Sequence, residues 1–237
     1  MAAPPPHRPA DPATPMELSP ALVLATWIAG IAGGATVVAW WRIVGPGYVW
    51  MSGVVVAGFG AIVAAAGGGA AALVGTVAGA ATLLVARRRG TVAAMYGVAT
   101  IAFVLAAWQE SPLVPVLTGA LFLGGVTSEM LLGHWYLVDP KLPRWALQRL
   151  CVAAGIGLAA EVALVVGGVM AGGLDSGAVF AWAYAALSVM TALLLAAVWF
   201  SLREPRYTGV MSATGLSYLA VLTSMGVFVV GRMVAFG

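Results

Sequence analysis

Eight apolar stretches follow one another along this 237-residue chain, and the connections between them are short. The hydrocarbon core of a membrane is ~30 Å thick, and ~20 helical residues span it. The stretches reach or approach that length, and they lack the ten-residue alternation that is typical of membrane barrel strands. The sequence therefore predicts an all-α integral membrane protein, a bundle of about eight transmembrane helices with short loops. The predicted spans are 21–42, 48–66, 70–86, 91–109, 113–136, 145–171, 178–200 and 209–235.

The composition excludes most other classes of protein. The chain is 62% apolar and only 8% charged, whereas about a quarter of the residues of a soluble domain are charged. So few polar side chains cannot cover a globular surface, which excludes a soluble enzyme and a disordered protein. A nucleic-acid partner is not expected either, because the formal net charge is only +3 and the longest basic run is Arg87 to Arg89. In a chain of this kind basic residues indicate topology.

The first twenty residues differ from the rest, because they hold seven of the thirteen prolines. Proline lacks the amide donor that a helix needs, so we expect residues 1–20 to form an extended tail of polyproline character. A disordered leader and a strap laid over a neighbouring subunit are the two alternatives. Residues 21–237 are expected to form a single transmembrane domain.

The basic residues alternate between the connections. Nine basic residues lie in the four odd-numbered connections and the adjoining helix ends; these connections join spans one and two, three and four, five and six, and seven and eight. The other three connections hold no basic residue and carry Glu110 and Asp175. Since positive residues stay on the cytoplasmic side, we expect these odd-numbered loops in the cytoplasm and both termini outside. The expected location is a bacterial cytoplasmic membrane. The nine residues are Arg42, Arg87, Arg88, Arg89, Lys141, Arg144, Arg149, Arg203 and Arg206.

Four ionisable residues lie inside predicted spans: Glu129, Arg149, Glu161 and Arg232. A charge at mid-membrane costs ~2.5–3.5 kcal/mol on insertion scales. Glu129 shares a stripe of small and polar residues, so it is expected to point into the bundle, at a depth similar to that of Arg149. The depths therefore predict two ion pairs, Glu129 with Arg149 and Glu161 with Arg232. Two alternatives remain. Glu129 acts in a proton relay, or Arg232 reaches the outer water and leaves Glu161 unpaired as a candidate functional site.

The segment from Gly133 to Leu147 is predicted to be the longest non-helical connection. Two prolines stiffen it, and its aromatic residues favour the membrane interface. We interpret it as an interfacial loop that presents a small charged surface. Its interfacial residues are Trp135, Tyr136, Asp139, Lys141 and Arg144.

Cofactor chemistry has little support in the sequence. His134 is the only histidine beyond the tail, which excludes a bis-histidine haem within one chain. It remains a weak candidate ligand for a chlorophyll magnesium or, together with a methionine, for a haem. A hydrogen-bonded interfacial histidine is the alternative. Cys151 is the only cysteine, so it forms no internal disulfide and is interpreted as a packing residue. We expect no metal site and no cofactor ligated by this chain, and contact with quinone, lipid or chlorophyll stays open.

The functional expectation follows from what the chain contains. None of the motifs G-x-S-x-G, H-E-x-x-H or the P-loop is present, so we do not expect an enzyme. The leading hypothesis is a non-catalytic accessory, structural or anchor subunit of a larger bacterial membrane complex, respiratory or photosynthetic. Its partners would be other membrane-protein subunits and lipid, met by the Gly- and Ala-rich outer faces of the first three helices. The alternative is a small secondary transporter or proton-conducting protein that uses Glu129 and Glu161.

Overall fold

A computed structural model describes residues 18–172 and 177–236, and all regular structure within these ranges is α-helical. Each of the eight predicted spans corresponds to one helix, with ends that differ from the prediction by no more than three residues. The helices are α1 (Pro20–Trp40), α2 (Pro46–Ala65), α3 (Gly69–Val85), α4 (Arg89–Trp108), α5 (Leu113–Val138), α6 (Arg144–Gly172), α7 (Ala178–Arg203) and α8 (Tyr207–Phe236).

The lengths of the helices match a membrane. Seven of them in the described ranges are long and apolar enough to cross it, which confirms a helical multi-pass protein. The helix α3 has 17 residues and is therefore ~26 Å long at 1.5 Å per residue. The expected tail, residues 1–20, lies almost entirely outside the described residues, as does Asp175.

Local chemistry explains where the helices begin. Pro20 and Pro46 occupy the first turns of α1 and α2, where the missing amide hydrogen costs nothing. The Ser19 hydroxyl accepts a hydrogen bond from the Leu22 amide at 2.9 Å and so caps α1. The same hydroxyl donates to the Glu110 carboxylate, which ties the start of α1 to the connection between α4 and α5.

The helices form two four-helix halves. Within α1–α4 each helix contacts the next, and α4 returns to α1; α5–α8 close in the same order, with an added contact of α6 with α8. The main junction between the halves is α1 against α5. Both halves also begin with the same dipeptide, Ser19-Pro20 and Ser111-Pro112. The chain is therefore built from two similar halves that meet along their first helices.

Glycine residues allow the backbones of the two halves to approach each other closely at their junction. A Cβ atom added to Gly30 of α1 would lie 2.6 Å from the Gly124 Cα atom of α5. A Cβ atom added to Gly34 would lie 2.5 Å from the Ser128 Cβ atom. Such close approach of two backbones maximises van der Waals contact, on which helix packing in lipid depends. We call this α1–α5 contact the glycine seam.

The four basic connections lie at one end of the bundle. The Trp41 and Trp145 rings, from the α1–α2 connection and the start of α6, have centroids 5.0 Å apart. Arg144 Nη2 donates to the Pro205 carbonyl at 2.7 Å, which joins the α5–α6 and α7–α8 connections. The α1–α2 and α3–α4 connections border a common cavity. We call this the basic end; that it faces the cytoplasm stays a prediction.

The prediction of a long non-helical connection from Gly133 to Leu147 is wrong. The helix α5 continues to Val138 and α6 begins at Arg144, so only five residues, 139–143, lie between them. Trp135 and Tyr136, assigned to an interfacial loop, are helical, and the Trp135 ring packs against Gly47. Pro140 follows the C-cap of α5, where proline stops a helix, and Pro143 directly precedes α6, so the two prolines lie near the ends of the connection without lengthening it.

Candidate functional site

Glu161 and Arg232 form a buried ion pair between α6 and α8. Arg232 Nη2 lies 2.9 Å from Glu161 Oε1, and the two residues are only 4% and 1% exposed. The Thr118 hydroxyl donates to the same carboxylate oxygen at 2.5 Å. Arg232 Nη2 also donates to the Pro115 carbonyl at 2.6 Å. The structure thus brings together the two residues that the sequence paired, and the cluster fastens α5, α6 and α8.

Glu129 lies in the middle of the second half. It is 1% exposed, and its Oε2 atom accepts a hydrogen bond from the Ser217 hydroxyl of α8. Its Oε1 atom has no hydrogen-bond partner among the described residues. Nine residues separate Glu129 from the basic end of α5, which places it ~14 Å inside the bundle. Among the described residues the Glu129 carboxyl group therefore has one neutral donor and one unmatched oxygen.

The predicted pair of Glu129 with Arg149 is not formed. The Arg149 guanidinium lies over the Trp145 ring, 4.6 Å from its centroid, and the residue is exposed. Depth along a helix depends on the rise per residue, which the sequence supplies. The rotation of α6 about its axis decides the direction of the side chain, and that rotation follows from packing. Arg149 therefore faces outward while Glu129 faces inward.

Arg149 borders an apolar crevice beside the glycine seam. The crevice has a volume of about 330 Å³ and lies between α1, α4, α5 and α6. Gly33 and Gly125 are among the small residues that line it, and Trp41 stands near its basic end. The crevice therefore combines an apolar lining with one guanidinium at its edge, and contact with quinone, lipid or chlorophyll stays a prediction.

His134 takes part in a hydrogen bond. Its Nδ1 atom lies 3.1 Å from the Tyr218 hydroxyl of α8. No group of three or more His, Cys, Asp or Glu side chains that could hold a metal ion occurs among the described residues. The structure thus places His134 in the hydrogen-bonded arrangement that was the alternative to ligation, and its role as a ligand stays a prediction.

A second polar cluster, in the first half, was missed by sequence reasoning. The Tyr96 hydroxyl donates to the Val49 carbonyl at 2.7 Å and lies 2.9 Å from the Ser52 hydroxyl. The Thr82 hydroxyl donates to it at 3.4 Å. These hydroxyls join α2, α3 and α4. The signal in the sequence was weak, because each polar residue stands alone in an apolar helix and only the fold brings them together.

An apolar groove runs along the outside of α6 and α7. Its volume is about 690 Å³, and Cys151 and Trp199 lie near its basic end. Small side chains line most of its length: Gly155, Ala159, Ala163, Ala192 and Ala196. The sequence placed the main contact surface on α1–α3 instead, yet Gly75 and Gly79 of α3 pack inward, against Phe103 and Val56. We call this feature the α6–α7 groove.

Comparisons with models of protein families, with curated proteins and with solved structures give no match to this chain. The function proposed for it therefore rests on the chemistry and packing of its own residues.

Proposed function

We propose that this chain is a non-catalytic subunit of a larger membrane assembly and that a transmembrane helix of a partner subunit packs in the α6–α7 groove. The groove is the observation that carries the proposal. The identity of the assembly as respiratory or photosynthetic stays a prediction, because no contact in the chain bears on it.

The shape of the α6–α7 groove suits a helix. Its lining residues on α6 run from Cys151 to Val166, which is fifteen steps along the helix, or ~23 Å at 1.5 Å per residue. Small residues at regular helical spacing let a second backbone approach closely, and the resulting van der Waals contact drives helix association in lipid. A flexible acyl chain fills such a surface less completely.

The polar groups of the bundle also fit a structural role. The Glu161–Arg232 pair receives further hydrogen bonds through Thr118 and Pro115 and fastens three helices. Secondary transporters commonly bind substrate where a helix is broken at mid-membrane. The eight helices in the described ranges are continuous, which favours the subunit over the transporter.

Substitution of the groove residues tests the proposal. Ala159→Trp would fill the groove, so purification of the chain from its native membrane in mild detergent should lose a partner that co-purifies stoichiometrically with the wild type. Leu222→Trp is the matched control, because Leu222 is 71% exposed on α8 and lies outside the groove.

Two outcomes would contradict the proposal. Val77 lies on the exposed face of α3. If Val77→Trp loses the partner and Ala159→Trp retains it, the interface lies on the first three helices instead. A wild-type chain that purifies alone would reject the subunit altogether.

A second candidate function is proton conduction, and the unmatched Oε1 atom of Glu129 favours it. An ionisable residue inside a membrane protein is by default a functional candidate. If Glu129 carries protons, the purified chain in liposomes should collapse an imposed pH gradient, and Glu129→Gln should abolish that flux. A wild-type flux equal to that of empty liposomes would reject this candidate.

A further inference from the structure

A cavity of about 290 Å³ opens at the basic end of the first half, between the α1–α2 and α3–α4 connections. Arg42 and Arg87 both line it, although 45 residues separate them in sequence. None of the lining residues that the structure describes is acidic. We propose that this cavity binds the phosphate group of an anionic lipid headgroup through Arg42 and Arg87.

The two arginines supply the charge and the geometry that a phosphate requires. A guanidinium presents a planar fork of N–H donors that matches phosphate oxygens, and charge-assisted bonds of this kind are among the strongest that proteins form. Arg42 adopts a left-handed backbone conformation with φ of 57°, which is uncommon for a residue other than glycine. The connection therefore turns sharply at the residue that lines the cavity.

Backbone groups strengthen the positive potential. Pro46, in the first turn of α2, and Val92, next to the first turn of α4, both line the cavity. The cap residues of these helices, Gly45 and Arg88, make no side-chain cap hydrogen bond, and neither first turn holds an acidic residue. The first amides of a helix have no partner within it and carry a partial positive charge, so two helix starts add to the effect of the arginines.

The surroundings favour a lipid over a soluble phosphate. The apolar side chains of Val44, Val49 and Val92 form the inner wall, next to which the carbon part of a lipid can lie. Trp40 and Trp50, which are 77% and 52% exposed, flank this end of the bundle, and exposed tryptophan marks the headgroup layer. Basic pockets between membrane helices bind acidic headgroups in this way.

Native mass spectrometry of the full chain in mild detergent tests the site. After exchange into mixtures with phosphatidylglycerol or phosphatidylcholine, the wild type should retain phosphatidylglycerol preferentially. In the variant Arg42→Gln with Arg87→Gln, the apparent affinity for phosphatidylglycerol should fall about tenfold or more. The matched control, Arg203→Gln with Arg206→Gln, removes the same charge from another basic connection and should retain the lipid.

A charge-retaining variant keeps the test independent of folding. Arg42→Lys with Arg87→Lys should bind more weakly than the wild type and more tightly than the glutamine variant, since lysine keeps the charge and loses the planar fork. Equal retention by the wild type and a folded glutamine variant would overturn the site. Saturation of the lipid-free chain by inorganic phosphate, with loss of phosphatidylglycerol binding, would overturn the assignment to lipid.

Discussion

At the scale of single residues, the buried charges of this chain follow two different rules. Glu161 is paired with Arg232 and receives a further bond from Thr118, whereas Glu129 receives one bond from Ser217. Pairing offsets the cost of burying a carboxylate, and protonation is the other way to lower that cost. The two glutamates therefore differ in what their removal should do.

Breaking the Glu161–Arg232 pair should destabilise the bundle strongly. Arg232→Met leaves a buried carboxylate without its cation, and the expected cost is about 3–5 kcal/mol of unfolding free energy. Adding Glu161→Gln should recover much of this loss, because neither charge then remains. Unfolding of the purified variants in detergent measures both effects. If the double variant is as unstable as Arg232→Met alone, the ion pair is not the reason why these residues stabilise the bundle.

Ser217→Ala should destabilise the second half moderately, because it removes the one hydrogen bond that the Glu129 carboxyl group makes with the described residues. The expected loss is about 1–3 kcal/mol in the same unfolding measurement. Ser128→Ala is the matched control: its hydroxyl is buried one residue away and has no hydrogen-bond partner among the described residues, so its removal breaks no bond. Equal effects of the two substitutions would argue against a structural bond at Glu129.

At the scale of elements, the agreement between predicted and observed helices has a local cause. Apolar length and the Gly, Pro and charged residues at the breaks act within a few neighbouring residues. The prediction for the segment from Gly133 to Leu147 was wrong because local composition was misleading there. Its aromatic, proline and charged residues resemble those of a loop. Trp135 is nevertheless helical and packs against Gly47, which lies far away in sequence.

The glycine seam yields a prediction for a single methyl group. Gly30→Ala should cost about 1–3 kcal/mol, as overpacking does, because the added Cβ atom meets the α5 backbone. Gly58→Ala, in α2 with open space around its Cα atom, should be neutral or stabilise the helix by about 0.5–1 kcal/mol. Thermal unfolding of the two variants in one detergent compares them. Matching transition temperatures would mean that α1 and α5 are not in close contact.

At the scale of the whole molecule, the four basic connections share one end of the bundle, because two helices that run in opposite directions separate each connection from the next. We predict that this end is cytoplasmic. In a Cys151→Ala background, single cysteines at positions 88, 141 and 203 should react with a membrane-impermeant reagent only after the cells are opened, because positive residues resist translocation. Cys151→Ala replaces one small apolar side chain by another at this buried position, so the fold should stay intact. Labelling of positions 88 or 141 in intact cells would reverse the orientation.

The sequence by itself determined the class of the protein, the number and approximate ends of its helices, and the depth of each buried charge. These properties depend on hydrophobic length, turn residues and a constant rise per residue, all of which are local. Only the tertiary structure decided that Glu129 meets Ser217 while Arg149 turns outward over Trp145, and that Arg42 and Arg87 share a cavity. Those contacts depend on how each helix is rotated about its axis and which helices become neighbours, and distant residues such as Gly30 and Gly124 determine both through their packing.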